Sequence, residues 1–159
     1  MALKNNRYEV VTDISYFMNE VATRGGIASI STVGSGAALD QSAALVTYAA
    51  NSSGATPRGL LLNDMVNLDL TRQHLNQHRD EVQMGGKVTL GIKGWWLTDK
   101  ITGTPAAGDY AVLSSSGNLA PLTAANYAGT SWNKALNPIV GKFWSKLDED
   151  GFAKVFVDL

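Results

Sequence analysis

The sequence contains no cysteine, which removes disulfides, thiolate metal sites and thiol nucleophiles together and leaves packing and assembly as the sources of stability. Charge is scarce as well. Asp, Glu, Lys and Arg make up 17% of the 159 residues, and the formal net charge is −1. That balance builds no positive field of the kind that holds phosphates, so no nucleic-acid partner is expected. No run approaches the roughly 18 apolar residues of a membrane helix, so no membrane partner is expected either. The first residues, MALKNNRYEVVTD, lack the apolar core of a secretion leader, and the expectation is synthesis in the cytoplasm without export by such a leader.

What the chain has in abundance is turn chemistry. It holds 16 glycines with many Ala, Ser and Thr, the composition of a turn-rich β fold. Short apolar or alternating runs recur at intervals of about 8–12 residues, which favours an antiparallel β-sandwich or barrel-like domain. Strands are expected at Gly26 to Ser31, Ala44 to Ala49, Gly59 to Leu62, Met65 to Leu70 and Lys87 to Thr98, with Gly94 breaking the alternation of the last as a bulge would. Two further β units follow: AGDYAVLSSSGNLAP (Ala107 to Pro121) and NPIVGKFWSKLDEDGFAKVFVDL (Asn137 to Leu159). Each reads as strand, turn, strand. No amphipathic helix is long enough for a parallel α/β crossover.

Residues 1–24 stand apart from this pattern and read as an N-terminal arm or short helix, with 25–159 as the β domain. Asp13 or Ser15 is placed to cap a helix over Tyr16 to Ala22, which Gly25-Gly26 would end.

No constellation of reactive groups converges. His74 and His78 sit four apart, which on a helix is metal-ligand spacing. Leu75, however, occupies the position where a zinc protease needs its Glu. The polar segment Thr71 to Gln83 reads instead as solvated or interfacial. Asp148-Glu149-Asp150-Gly151 lacks the alternating oxygen ligands of a calcium loop and reads as a hairpin turn. Gly34-Ser35-Gly36 is followed by no Lys and opens no helix, so it reads as a loop rather than a phosphate cradle. Arg24-Gly25-Gly26 is likewise a turn. No Gly-x-Ser-x-Gly elbow appears. Neither an enzyme nor a metal or other cofactor is expected.

The aromatics are the remaining clue. Adjacent strand residues face opposite ways, so one of Trp95 and Trp96 is expected to point outward. Tyr8, Tyr16 and Phe17 gather near the N-terminus, and Trp132 with Tyr127 sits in the long joining loop. Arg7, Tyr8, Tyr16, Phe17, Trp95, Trp96 and Trp132 are the candidate partner contacts, since buried aromatics and Arg anchor interfaces.

The segment PRGLLLNDMVNLDL (Pro57 to Leu70) and the two β units resemble the head-decoration, or capsid cement, proteins of tailed bacteriophages. There, a GD-x-apolar strand with an S/A-x-G-x-L turn precedes NP-x-x-G-x-F, an acidic turn and a final strand. The resemblance covers the second two-thirds of the sequence. It implies a β protein on the outer surface of the virion capsid, with the major capsid protein as partner. That protein would bridge neighbouring subunits against the pressure of packaged DNA, as a homo-oligomer with a trimer favoured. The segment Leu3 to Phe17 would serve as an arm. The alternatives are a tail or connector component and a carbohydrate-binding β module.

Overall fold

The computed structural model describes residues 10–32, 44–64, 81–128 and 133–159. In chain order its strands are β1 (Val11–Asp13), β2 (Phe17–Met18), β3 (Ala22–Thr23), β4 (Ile27–Ile30), β5 (Leu45–Thr47), β6 (Pro57–Asp64), β7 (Glu81–Val82) and β8 (Val88–Thr98). They continue with β9 (Tyr110–Leu113), β10 (Leu119–Leu122), β11 (Ile139–Phe143) and β12 (Ala153–Asp158). One short helix, α1 (Ala124–Ala128), follows β10. The expected strand Met65 to Leu70, the Gly34 loop and the His74/His78 segment lie outside the described residues, apart from residues 81–83 at the end of that segment.

Ten strands form one sheet in the order β10-β9-β11-β12-β8-β6-β4-β5-β2, with β1 also on β8. Its pairs are antiparallel except β2 with β5, so the sheet is mixed, and the β-sandwich or barrel-like class read from the sequence holds. β3 and β7 make a separate two-stranded pair. The two β units of the C-terminal part are the hairpins β9–β10 and β11–β12, and they adjoin through β9 and β11.

Two apolar clusters explain why the sheet closes as it does. One gathers Ile27, Leu60, Leu113, Val140, Phe143 and Val155 with their neighbours. The other gathers Met18, Ala28, Val46, Leu61, Val88 and Leu90. Ile27 and Ala28 are adjacent in β4, and Leu60 and Leu61 adjacent in β6, yet each pair is divided between the clusters. Successive strand residues face opposite ways, so β4 and β6 run between two cores, covered on both faces. That is why GLLL in β6 is a continuous apolar run rather than an alternation.

The helix expected over Tyr16 to Ala22 does not form; β2 and β3 occupy that stretch. Phe17 N–H donates to the Ala44 carbonyl and Met18 N–H to the Gly86 carbonyl, each at 3.0 Å, and Met18 is fully buried in the second cluster. Two turns of isolated helix are marginal in water, whereas sheet pairing here comes with the burial of Met18. From Val11 onward, then, the expected arm is bound into the sheet through β1 and β2; residues 1–9 lie outside the described residues.

β8 is the longest strand, at 11 residues. Its first half pairs with β6 and its second half with β12, while β1 pairs with Leu90 to Lys93. Gly94 has φ 153°, and the Trp96 indole lies over both Gly94 and Gly91, so close to Gly91 that a Cβ there would overlap the ring. The two glycines leave the room that the strand's own tryptophan fills. The bulge expected at Gly94 does not form there: β12 pairs through Gly94 in unbroken register, and the irregularity lies between Gly91 and Lys93, against β1.

Gly141 in β11 is a second close approach: a Cβ there would overlap the Phe156 carbonyl oxygen of β12. Gly141→Ala is therefore expected to cost about 2–3 kcal/mol by overpacking. Gly108→Ala meets open space at φ 97° and loses only roughly 1 kcal/mol to backbone strain. Urea denaturation of the two variants checks this, and equal midpoints would contradict the packing of β11 on β12.

Candidate partner-binding surface

The outward face of the C-terminal strands is built by register. Trp95 stands opposite Phe156, Leu97 opposite Lys154 and Lys93 opposite Asp158. Lys142 stands opposite Phe156 on one side and Tyr110 on the other. β12 alternates buried and outward residues along its length, so Val155 and Val157 enter the core while Lys154, Phe156 and Asp158 face away. The result is a row Trp95, Phe156, Lys142, Tyr110 crossing four strands, roughly 14 Å at the usual strand spacing.

Trp144, directly after β11, extends the row. Its ring centroid is 4.7 Å from that of Trp95 at an interplanar angle of 64°, and Trp95 is also 4.7 Å from Phe156. Both are geometries that favour aromatic pairs. Trp144 nevertheless remains 54% exposed, and Leu97 beside it 69%. At the other end of the row Tyr127 of α1 packs on Tyr110 at 4.9 Å. Lysines overlie the rings: Lys154 Nζ is 5.3 Å from the Trp95 centroid and Lys142 Nζ 4.8 Å from that of Tyr110, within cation–π range. A groove of about 400 Å³ is lined by Val10, Trp95, Trp96, Leu97 and Lys154. A second cleft, of about 470 Å³, adjoins it through Trp96 and Leu97 and reaches Arg24, Asp99 and Phe152.

Trp95 is thus the outward member of the Trp95-Trp96 pair, and Trp96 packs against the first core cluster. Trp144, which the sequence places in a strand like Trp95 and Trp96, and Phe156 and Tyr110 are members of the face that are not among the candidate contacts. The alternation of β12 (Ala, Lys, Val, Phe, Val, Asp) places Phe156 on the lysine side, a signal that was available. The two remaining described candidates lie elsewhere. Tyr16 stacks under Arg58, whose guanidinium carbon is 5.4 Å from its ring centroid, and Phe17 is overlain by Lys87 at 5.7 Å. Arg7, Tyr8 and Trp132 are outside the described residues.

The Tyr16 site is a fastening for β1. Arg58 Nη2 donates to Asp13 Oδ2 at 2.6 Å, and Ser15 N–H donates to Asp13 Oδ1 at 2.8 Å. Burial pushes the Asp13 carboxyl upward, but the Ser15 hydrogen bonds and the Arg58 guanidinium outweigh it and hold it below its usual value of 3.8. The Tyr48 hydroxyl donates to the Thr23 carbonyl at 2.6 Å and accepts from Gly26 N–H at 3.0 Å. Burial, the largest influence, raises its pKa. The Asp148 carboxylate is committed to its own turn, accepting from Asp150 N–H at 3.1 Å and Phe152 N–H at 2.7 Å.

Two outcomes follow from this geometry. Trp144→Ala, at an exposed ring, is expected to change stability by less than about 1 kcal/mol, whereas Trp96→Ala, which empties the space over Gly91 and Gly94, costs about 3 kcal/mol or more. Equal losses in thermal melts would contradict the division of the tryptophans. A depressed carboxyl stabilises the fold fully above its unfolded value and ceases to as pH falls through its folded value. The Asp13 contribution is therefore complete above about pH 4 and lost on further acidification. Asp13→Asn is expected to flatten that part of the acid-unfolding profile, and an unchanged profile would count against the Arg58 fastening.

No protein-family profile matches the chain, and no curated protein matches it. Among solved structures, the N base of the head fibre gp8.5 of bacteriophage phi29 aligns at a TM-score of 0.49 and 10% sequence identity, over 96% of this chain and 95% of that one.

Proposed function

We propose that this chain is a structural virion protein of a tailed bacteriophage. It binds the outer surface of the capsid, bridges neighbouring major capsid subunits and stabilises the head against internal DNA pressure. It acts by contact and carries out no catalysis. The observation that supports this most is the face on which Trp144 and Leu97 stand exposed beside the partly buried Trp95, Phe156 and Tyr110. Contiguous exposed apolar surface of this kind marks an interaction site. The resemblance of the Pro57 to Leu70 segment and the two C-terminal hairpins to capsid cement proteins supplies the partner. Engaging several subunits at once, as a trimer would, multiplies modest contacts into tight binding.

A carbohydrate-binding module is the second reading, favoured by one observation: Trp95 and Trp144 present aromatic rings on a sheet face. The two readings separate in one experiment. Heads of the source phage prepared without this protein are incubated with the purified chain, sedimented, and then heated or osmotically shocked. Saturable co-sedimentation and a raised temperature of DNA release are expected. Absence of binding, with glycan-array signal instead, favours the carbohydrate reading, and assembly of the free chain into rings or tubes favours a tail component.

A further inference from the structure

The face has a charge pattern that specifies its occupant. Three lysines stand on it. Lys93 is paired with Asp158 at 3.5 Å. Lys142 and Lys154 rest over Tyr110 and Trp95, and among the described residues neither meets a carboxylate. The chain as a whole is slightly acidic, at −1, so this face is locally positive against the overall balance. Cations seated on aromatic rings are held in place before binding, which lowers the ordering cost of meeting an anion. Beside Lys154 lies the groove it lines with Val10, Trp95, Trp96 and Leu97, large enough for an apolar side chain.

From this we infer that the sheet face of β8, β12 and β11 is the docking surface, and that its occupant is a protein surface bearing carboxylates around an apolar side chain. The side chain enters the Leu97–Trp95 groove while the carboxylates reach Lys142 and Lys154. The inference rests on the capsid-binding reading, in which that surface belongs to the capsid shell. A second copy of this chain fits less well. Two-fold pairing would bring Lys142 and Lys154 onto a like-charged face, and of the acidic turn at 148–150 the Asp148 carboxylate is already bound to backbone N–H groups. A sugar fits less well because Leu97 and Val10, 69% and 52% exposed, offer aliphatic surface, and Lys154 is the one charged side chain lining the groove.

The test uses the full chain and source-phage heads prepared without it, with binding measured by co-sedimentation across a salt series. The wild-type chain is expected to bind, less tightly as salt rises. Trp144→Ala is expected to weaken binding about tenfold, and the double reversal Lys142→Glu with Lys154→Glu about a hundredfold. Lys134→Glu, exposed outside this face, leaves it unchanged. Circular dichroism and melting confirm that each variant is folded. If the wild-type chain binds and the face variants bind equally well, the docking inference is overturned while the capsid reading stands. If the face variants turn an oligomer into a monomer, the occupant is a second copy and the inference is overturned. If the wild-type chain does not bind heads at all, the capsid reading fails and takes this inference with it.

Discussion

Strand β8 is hydrogen-bonded to β6 along its first half, to β12 along its second, and to β1 where the two meet. Gly91 and Gly94 leave the space over it that the Trp96 indole fills. Val88 and Leu90 face one core and Trp96 packs on the other. This strand therefore joins the two cores, and any side chain at Gly91 would have to displace the indole. The rest of the sheet is arranged around this strand: β6 and β4 continue between the cores, and the two C-terminal hairpins lie against its far half.

The same strand sets the surface. Because Trp96 turns inward, Trp95 and Leu97 must turn outward. β12 then supplies Phe156 and Lys154 opposite them, and β11 supplies Lys142. None of the outward side chains stands on a long loop; they are carried by paired strands, and Trp144 is tied to β12 through its own N–H to the Lys154 carbonyl at 2.8 Å. A recognition surface on rigid elements loses little conformational freedom when covered. This suits a protein proposed to act by contact alone.

Much of this was legible in the sequence, and the parts that were not have identifiable causes. The hairpins β9–β10 and β11–β12 were readable because turn residues such as Gly117 (φ 73°) and Gly151 (φ 85°) fall between apolar strands. β8 was readable from Val88, Leu90 and Ile92 in alternation. The stretch Tyr16 to Ala22 was misread as a helix because its strand character comes entirely from distant partners, the Ala44 and Gly86 carbonyls, and local propensity carries no trace of them. The surface was half legible. The Trp95-Trp96 pair announced itself, but the adjacency of Trp144 to Trp95 depends on the β11–β12–β8 register, which no local pattern encodes.

The placement of partners along the chain bears on the order in which the structure assembles and loosens. β9 with β10, and β11 with β12, close over short turns, whereas β1 must find β8 across the span from Asp13 to Leu90. The entropy of loop closure falls on the N-terminal strands, so on a contact-order argument the two C-terminal hairpins form early and the N-terminal edge docks late. Native-state breathing then starts from the β1–β2 side. The part of the aromatic face carried on those hairpins, Phe156, Lys142 and Tyr110, keeps its shape longest, while Val10 at its rim, next to β1, loosens first.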